Sequence, residues 1–101
     1  MIPTTISELK PGDWALEYAV RTIAKRPGTE NIHAFLYISR CDYFDERSLV
    51  GTLYKTTNDS WDSFVGNQSV VYFTKEQIRQ GSKVFKLTEE EVIMHVALEN
   101  I

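Results

Sequence analysis

The feature that most constrains the fold is the stretch Asn31–Arg40, which alternates between two sets of side chains. Successive side chains point to opposite sides only where the chain is extended, so this stretch predicts a β-strand. One of its faces is wholly aliphatic and consists of Ile32, Ala34, Leu36 and Ile38. Because Phe35 and Tyr37 make the other face partly apolar, we expect the strand to lie inside a sheet, with cover on both sides.

Period-two patterns predict four more strands, within residues 13–24, 49–55, 68–74 and 82–87. In the first of them Trp14, Leu16 and Tyr18 alternate with smaller residues, and we expect the large residues to face the core. A Pro-Gly turn at residues 27–28 is short enough to make this strand and the Asn31–Arg40 strand antiparallel neighbours. Gly51, inside the 49–55 strand, predicts a bulge or a sharp bend.

Two helix starts are predicted by capping boxes, in which Thr74 precedes Gln77 and Thr88 precedes Glu91 by three positions. Gly81 should end the first helix early, whereas the second continues to the end of the chain. A single helical turn is also expected within residues 6–10. The predicted order of the main elements is therefore β-β-β-β-α-β-α.

The chain has 101 residues, enough for one hydrophobic core and too few for two, so a single domain over residues 1–101 is expected. The predicted fold class is α+β: a small curled antiparallel sheet, or an SH3-like barrel, of four to five strands with a short helix and a C-terminal helix. The predicted core consists of Trp14, Leu16, Ile32, Leu36, Ile38, Leu53, Val71, Phe73, Val92 and Val96.

The charge of the chain argues against binding driven by phosphate groups. The net charge is −3, and acidic and basic residues are spread over both halves of the chain. Nucleic-acid binding usually needs a concentrated basic surface, and a mimic of nucleic acid would need a stronger acidic excess. No secretion signal or long apolar run is visible and there is one cysteine, so we expect the cytoplasm and no membrane.

No motif in the sequence predicts an enzyme. Cys41 and His33 are the only nucleophile and base that could be paired, with Asp42 or Asp45 to orient the histidine. Along an extended strand their eight-residue separation corresponds to roughly 26 Å. We therefore expect no catalytic residues, no metal site and no cofactor.

Large aromatic residues in acidic loops give the strongest indication of function. Such rings commonly anchor protein interfaces, and the neighbouring carboxylates would favour a partner with a basic surface. The predicted surface comprises Tyr43, Phe44, Asp45, Trp61 and Asp62. The alternative is that these rings fold back over the open ends of the sheet.

A surface for nucleic acid is a second interpretation, in which rings stack on bases and cations contact phosphates. It would comprise Arg21, Lys25, Arg26, His33, Tyr37 and Arg40. The net charge of the chain makes this interpretation weaker than protein binding.

The C-terminal helix has an apolar arc of roughly 240°, which is wider than one sheet face can cover. A polar stripe along it contains only Glu91, His95 and Glu99. The apolar stripe left without cover consists of Met94, Leu98 and Ile101. We expect this stripe to form a two-fold dimer contact, unless the loop of residues 56–67 covers it.

Taken together, these patterns predict a small cytoplasmic protein-binding module that acts as an accessory subunit, regulator or inhibitor and forms a homodimer. A nucleic-acid-binding small β-barrel is the first alternative. An acidic mimic of nucleic acid is the second.

Overall fold

A computed structural model describes residues 1–23, 28, 31–46, 48–69, 71–73 and 82–97. They form a small, mostly β fold of the α+β kind, with one antiparallel sheet. The strands are β1 (Ile2–Pro3), β2 (Trp14–Ile23), β3 (Asn31–Asp45), β4 (Ser48–Thr56), β5 (Val71–Phe73) and β6 (Lys83–Lys86). Their order across the sheet is β1-β6-β2-β3-β4-β5.

The largest difference from the predicted strands is in β3, which continues past Arg40 to Asp45 and forms a hairpin with β4. Within this hairpin Cys41 pairs with Gly51 and Tyr43 pairs with Val50, so Asp42 is an extra residue. Such a bulge breaks the two-residue alternation, which is why the sequence pattern suggests a loop there.

Gly51 lies beside this bulge, and the irregularity predicted from it is confirmed, although the extra residue belongs to β3. A Cβ atom at Gly51 would lie 2.5 Å from the carbonyl oxygen of Arg40. Only glycine therefore allows the two strands to approach this closely. A second bulge occurs at Tyr54, because Ile38 pairs with Lys55 and Ser39 pairs with Leu53.

Both faces of the sheet carry apolar clusters. The larger cluster defines what we call the inner face, and its buried members are Ile6, Leu9, Ala15, Ala19, Tyr37, Cys41, Leu49, Leu53, Val71, Phe73 and Val84. The smaller cluster defines the outer face, and it contains Leu16, Ile38 and Leu87, with Trp14, Phe85 and Val92 packed around them. The main core therefore lies on the face where β2 carries alanines.

The expectation that the large residues of β2 face the core holds for Leu16, which is buried in the smaller outer cluster, and is wrong for Tyr18. Ala15 and Ala19 are fully buried in the inner cluster, whereas Tyr18 is exposed on the opposite face. The alanines add little volume, and larger residues such as Leu9 and Phe73 supply the bulk of that cluster. Side-chain size on one strand does not decide which face is covered, because the neighbouring elements supply the cover.

Five of the predicted core residues are confirmed as buried: Leu16, Ile38, Leu53, Val71 and Phe73. Trp14 and Val92 are half-buried. The prediction that Leu36 is buried is wrong, because 39% of this residue is exposed, on the outer face. The side chains of Ile32 and Val96 lie outside the described part of the structure.

At one end of the sheet, the paired strands β2 and β3 extend beyond the strands that flank them, β6 and β4. β6 pairs with β2 only over Ala15–Tyr18, and β4 pairs with β3 only from Tyr37 onward. Residues 18–23 and 31–36 therefore form a ribbon, which we call the β2–β3 arm, and among the described residues it is two-stranded beyond the Tyr18–Leu36 pair. Leu36 lies at the base of this arm, on its outer face.

The helical segments are short. One 3₁₀ turn spans Ile6–Glu8, and a longer one spans Asp59–Phe64. The C-terminal helix α1 (Glu89–Val92) starts with the predicted Thr88 capping box and continues as a π-helical segment, Ile93–Ala97. The helix predicted after Thr74 lies outside the described residues.

Candidate protein-binding surface

The end of the β3–β4 hairpin projects two adjacent aromatic rings, and we call residues Tyr43, Phe44, Asp45 and Glu46 the hairpin tip. Tyr43 is 45% exposed and Phe44 is 57% exposed. Their backbone is held in register because Tyr43 pairs with Val50 and Phe44 pairs with Leu49, both of which are fully buried. The rings therefore stand on a base that is anchored in the protein.

Two further features define the hairpin tip. The hydroxyl groups of Tyr43 and Ser69 lie 2.9 Å apart and share a hydrogen bond, which restricts the tyrosine ring. Asp45 and Glu46 are exposed, and no ion pair within the described part of the chain involves either carboxylate. Within the described residues, the hairpin tip thus combines exposed apolar area with two exposed carboxylates, while Arg47, which follows Glu46, lies outside them.

Arg40 lies on the outer face next to the hairpin tip, within a hydrogen-bonded group. Its Nε donates to Asp42 at 2.8 Å, its Nη1 donates to the Tyr54 hydroxyl at 3.2 Å, and its guanidinium lies 5.6 Å from the Tyr54 ring centre. Thr52 donates a further hydrogen bond to Asp42. The hydrogen bond to Asp42 raises the pKa of Arg40 above its ordinary value. This cation is therefore already engaged by its own chain.

Trp61 and Asp62 lie on the 3₁₀ helix that follows β4, and not at the hairpin tip. The ring of Trp61 packs edge-on against Tyr37 at 5.6 Å and is half-buried against the inner cluster. Six residues of strand separate Tyr37 from Tyr43, which corresponds to roughly 20 Å. The structure therefore does not bring Trp61 and Asp62 together with Tyr43, Phe44 and Asp45.

Of the residues predicted to contact nucleic acid, Tyr37, His33 and Arg40 have described side chains, and Arg40 lies on the face of β3 opposite the other two. Tyr37 is buried on the inner face, where its hydroxyl accepts a hydrogen bond from Asn58 at 3.0 Å. Arg40 lies on the opposite face, while His33 is exposed on the β2–β3 arm. Lys25 and Arg26 lie outside the described residues, as does the side chain of Arg21.

The exposed part of the C-terminal helix is apolar. Met94 is 62% exposed and Ile93 is also exposed, whereas Val92 packs against the outer-face cluster. Leu98 and Ile101, the other residues of the predicted dimer contact, lie outside the described residues. The contact stays a prediction.

The polar stripe predicted along that helix is only partly exposed. Glu91 accepts hydrogen bonds from the Met1 ammonium group at 2.6 Å and from the Thr88 backbone N–H at 3.2 Å. Both hydrogen bonds lower the pKa of Glu91, and the bond from the Met1 ammonium group has the larger effect. Glu91 and His95 are both half-buried, so these two residues do not form the fully solvated stripe that was expected, and Glu99 lies outside the described residues.

Cys41 is not placed for nucleophilic chemistry. Its side chain is fully buried on the inner face, and burial raises the pKa of the thiol to about 12, with smaller contributions from Asp13 and Asp42. The reactive form of cysteine is the thiolate, which is scarce at neutral pH when the pKa is that high. Among the described residues, no group of three or more His, Cys, Asp and Glu side chains is arranged to hold a metal ion.

A cleft of about 580 Å³ separates the start of α1 from the start of β2. Trp14, Leu87 and Val92 contribute apolar walls, and an ion pair of 3.6 Å between Lys86 and Asp13 lies at its edge. Sequence patterns miss this cleft because its walls come from two segments, residues 12–14 and 86–93, that are distant along the chain.

Comparisons with protein-family models, with curated proteins and with solved structures found no match. Within the described residues, no helix has both the length and the apolar character needed to cross a membrane.

Proposed function

We propose that the protein is a small, non-enzymatic, cytoplasmic protein-binding module that acts as an accessory subunit, regulator or inhibitor of a partner protein. The observation that carries this proposal is the hairpin tip, where two large rings are exposed side by side on an anchored hairpin. Binding energy at protein interfaces is concentrated in a few such aromatic residues.

The structure of the hairpin tip supports an anchoring role in two ways. Tyrosine and phenylalanine have only two side-chain torsions each, and the bond between Tyr43 and Ser69 restricts one ring further, so little entropy is lost on binding. The carboxylates of Asp45 and Glu46 border the rings and would attract a basic surface. The expected partner therefore presents an apolar pocket that is bordered by lysine or arginine.

The fold part of the proposal is that the sheet curls into an SH3-like barrel. The two bulges between β3 and β4 support this, because bulges increase local twist and bending. In a closed barrel the outer strands β1 and β5 would meet. Nuclear Overhauser contacts between the backbones of β1 and β5 would support closure, and their absence in a fully assigned spectrum would show an open sheet.

The functional proposal is tested by capturing partners from the source organism with the wild-type protein and with a Tyr43→Ala, Phe44→Ala double variant. Phe64→Ala is the matched control, because Phe64 is also an exposed ring but belongs to the 3₁₀ helix after β4. A specific partner should be retained by the wild type and the control and lost by the double variant.

Titration calorimetry with that partner should then show a loss of about 1–3 kcal/mol of binding free energy for each single truncation at the hairpin tip. The thermal midpoint of the free protein should be nearly unchanged. Unchanged binding together with a lowered midpoint would show that the rings are structural. Retention on a polyanion resin that falls steeply with salt would instead favour nucleic-acid binding.

A further inference from the structure

Within the described part of the chain, the β2–β3 arm has an open backbone edge along residues 31–35 of β3. On that side of β3, pairing with β4 begins only at Tyr37, and the last contact is made by Leu36, whose backbone N–H donates to the Thr57 hydroxyl at 2.9 Å. The carbonyl oxygen of Leu36 accepts from the Thr57 backbone N–H at 3.1 Å. The backbone N–H and C=O groups of Leu36 therefore both point away from β2.

Backbone groups of alternate residues in a strand point to the same side. Ile32 and Ala34 consequently direct their N–H and C=O groups to the same side as Leu36, whereas His33 and Phe35 direct theirs towards β2. None of the described residues pairs with the open side of Ile32 or Ala34. The arm thus offers four backbone hydrogen-bonding groups on one straight edge.

This edge lacks the devices by which proteins normally prevent pairing with another strand. Residues 31–35 contain no proline and no lysine, arginine, aspartate or glutamate, and both β-bulges lie further along β3. Charges, prolines and bulges are the usual protection of exposed edges. An unprotected edge of this kind is suited to receive a strand.

We propose that the strand it receives is the same edge of a second copy, in antiparallel orientation across a two-fold axis. The positions of the open groups define the register: Ile32 faces the second copy's Ala34, Ala34 faces the second copy's Ile32, and His33 faces its own equivalent. All four open groups on each copy then find a partner. The two sheets join into one continuous sheet.

The charge distribution favours a second copy over an unrelated partner. The chain has a net charge of −3, so two copies approach most easily where neither carries a formal charge, and residues 31–35 meet that condition. On one face of the arm His33 and Phe35 stack in parallel with ring centres 6.0 Å apart. On the other face Ala34, Leu36 and Tyr18 are exposed and would gain cover from the second copy.

This contact is independent of the hairpin tip, which lies at the other end of β3, so either proposal can fail without the other. Sedimentation equilibrium from about 5 to about 500 µM should show the mass rising from 11.7 kDa towards twice that value. Ala34→Pro removes one open N–H that has no partner among the described residues of a single copy, so the fold should persist while the dissociation constant of the dimer rises by about ten-fold or more. Ala34→Val is the matched control, because it keeps the N–H and should keep the dimer.

Amide hydrogen exchange on the wild type gives a second readout that does not depend on how the proline variant folds. Exchange at Ile32 and Ala34 should slow as the concentration rises, while exchange at His33 and Phe35 should not change. A monomer at every concentration, or exchange without this alternation, would overturn the proposal. So would a dimer that survives Ala34→Pro and dissociates with Met94→Glu, which would place the contact on the C-terminal helix.

Discussion

Replacing Leu53 with alanine tests directly which face of the sheet holds the main core. Leu53 is 0% exposed and belongs to the inner-face cluster. Removing a fully buried leucine side chain costs the transfer free energy of the deleted atoms plus the free energy of the cavity that remains, about 2–5 kcal/mol in total.

Leu36→Ala is the matched control, because it makes the same chemical change on the neighbouring strand. Burying a leucine completely is worth about 1.5–3 kcal/mol, and Leu36 on the arm is already 39% exposed. Its removal opens no enclosed cavity, so the expected loss is about 1 kcal/mol. The two variants should therefore differ at least two-fold in their effect on the free energy of unfolding.

Urea unfolding followed by tryptophan fluorescence measures both losses. With a denaturant dependence of about 2 kcal/mol per molar urea, Leu53→Ala should lower the midpoint by about 1–2.5 M, and Leu36→Ala by about 0.5 M. A loss for Leu36→Ala equal to that for Leu53→Ala would mean that the outer face is covered as fully as the inner face, and a larger loss would mean that the assignment of faces is reversed.

Three other substitutions test separate parts of the fold. Gly51→Ala places a Cβ against the Arg40 carbonyl and should cost about 1–3 kcal/mol in urea unfolding, and a loss below about half a kcal/mol would show that β3 and β4 separate freely at the bulge. The lowered pKa of Glu91 means that its contribution to stability is complete above the ordinary value of 4.5 and disappears as the pH falls through the folded-state value. Glu91→Gln should therefore flatten the dependence of stability on pH in that acidic range, and an unchanged slope would show that the bonds to Met1 and Thr88 are not formed in solution. Asn58→Ala removes both the helix cap on Ser60 and the bond to Tyr37, and thermal unfolding should show a loss of about 1–2 kcal/mol, whereas Asn58→Asp should keep the cap.

The positions of the strands and of the C-terminal helix could be predicted because their signals are local. Alternation over residues 14–23 and 31–40 and the capping box at Thr88 each depend on neighbours within a few positions. The face that forms the main core could not be predicted, because Ala15 and Ala19 are covered by residues that are distant in sequence, such as Leu9 and Phe73.

The predicted surface shows the same limit. The exposure of Tyr43 and Phe44 agrees with the expectation from their acidic neighbours, but their place in a strand was hidden by the Asp42 bulge. Trp61 looks equivalent in sequence and differs only because the chain turns after Thr56 and returns its ring to Tyr37. A residue's neighbours in sequence indicate its chemistry, while the path of the chain decides which residues lie together.

The burial of Cys41 makes this residue a built-in reporter of how often the protein opens. Its thiol can react with a thiolate-specific reagent only when β3 leaves both Gly51 and the Gly12–Asp13 turn, to which the Cys41 backbone is hydrogen-bonded at 2.7 and 2.8 Å. The labelling rate therefore measures the population of opened molecules without any change to the sequence. Since Tyr43 lies two residues further along the same strand, a ligand bound at the hairpin tip should slow that labelling in proportion to its affinity.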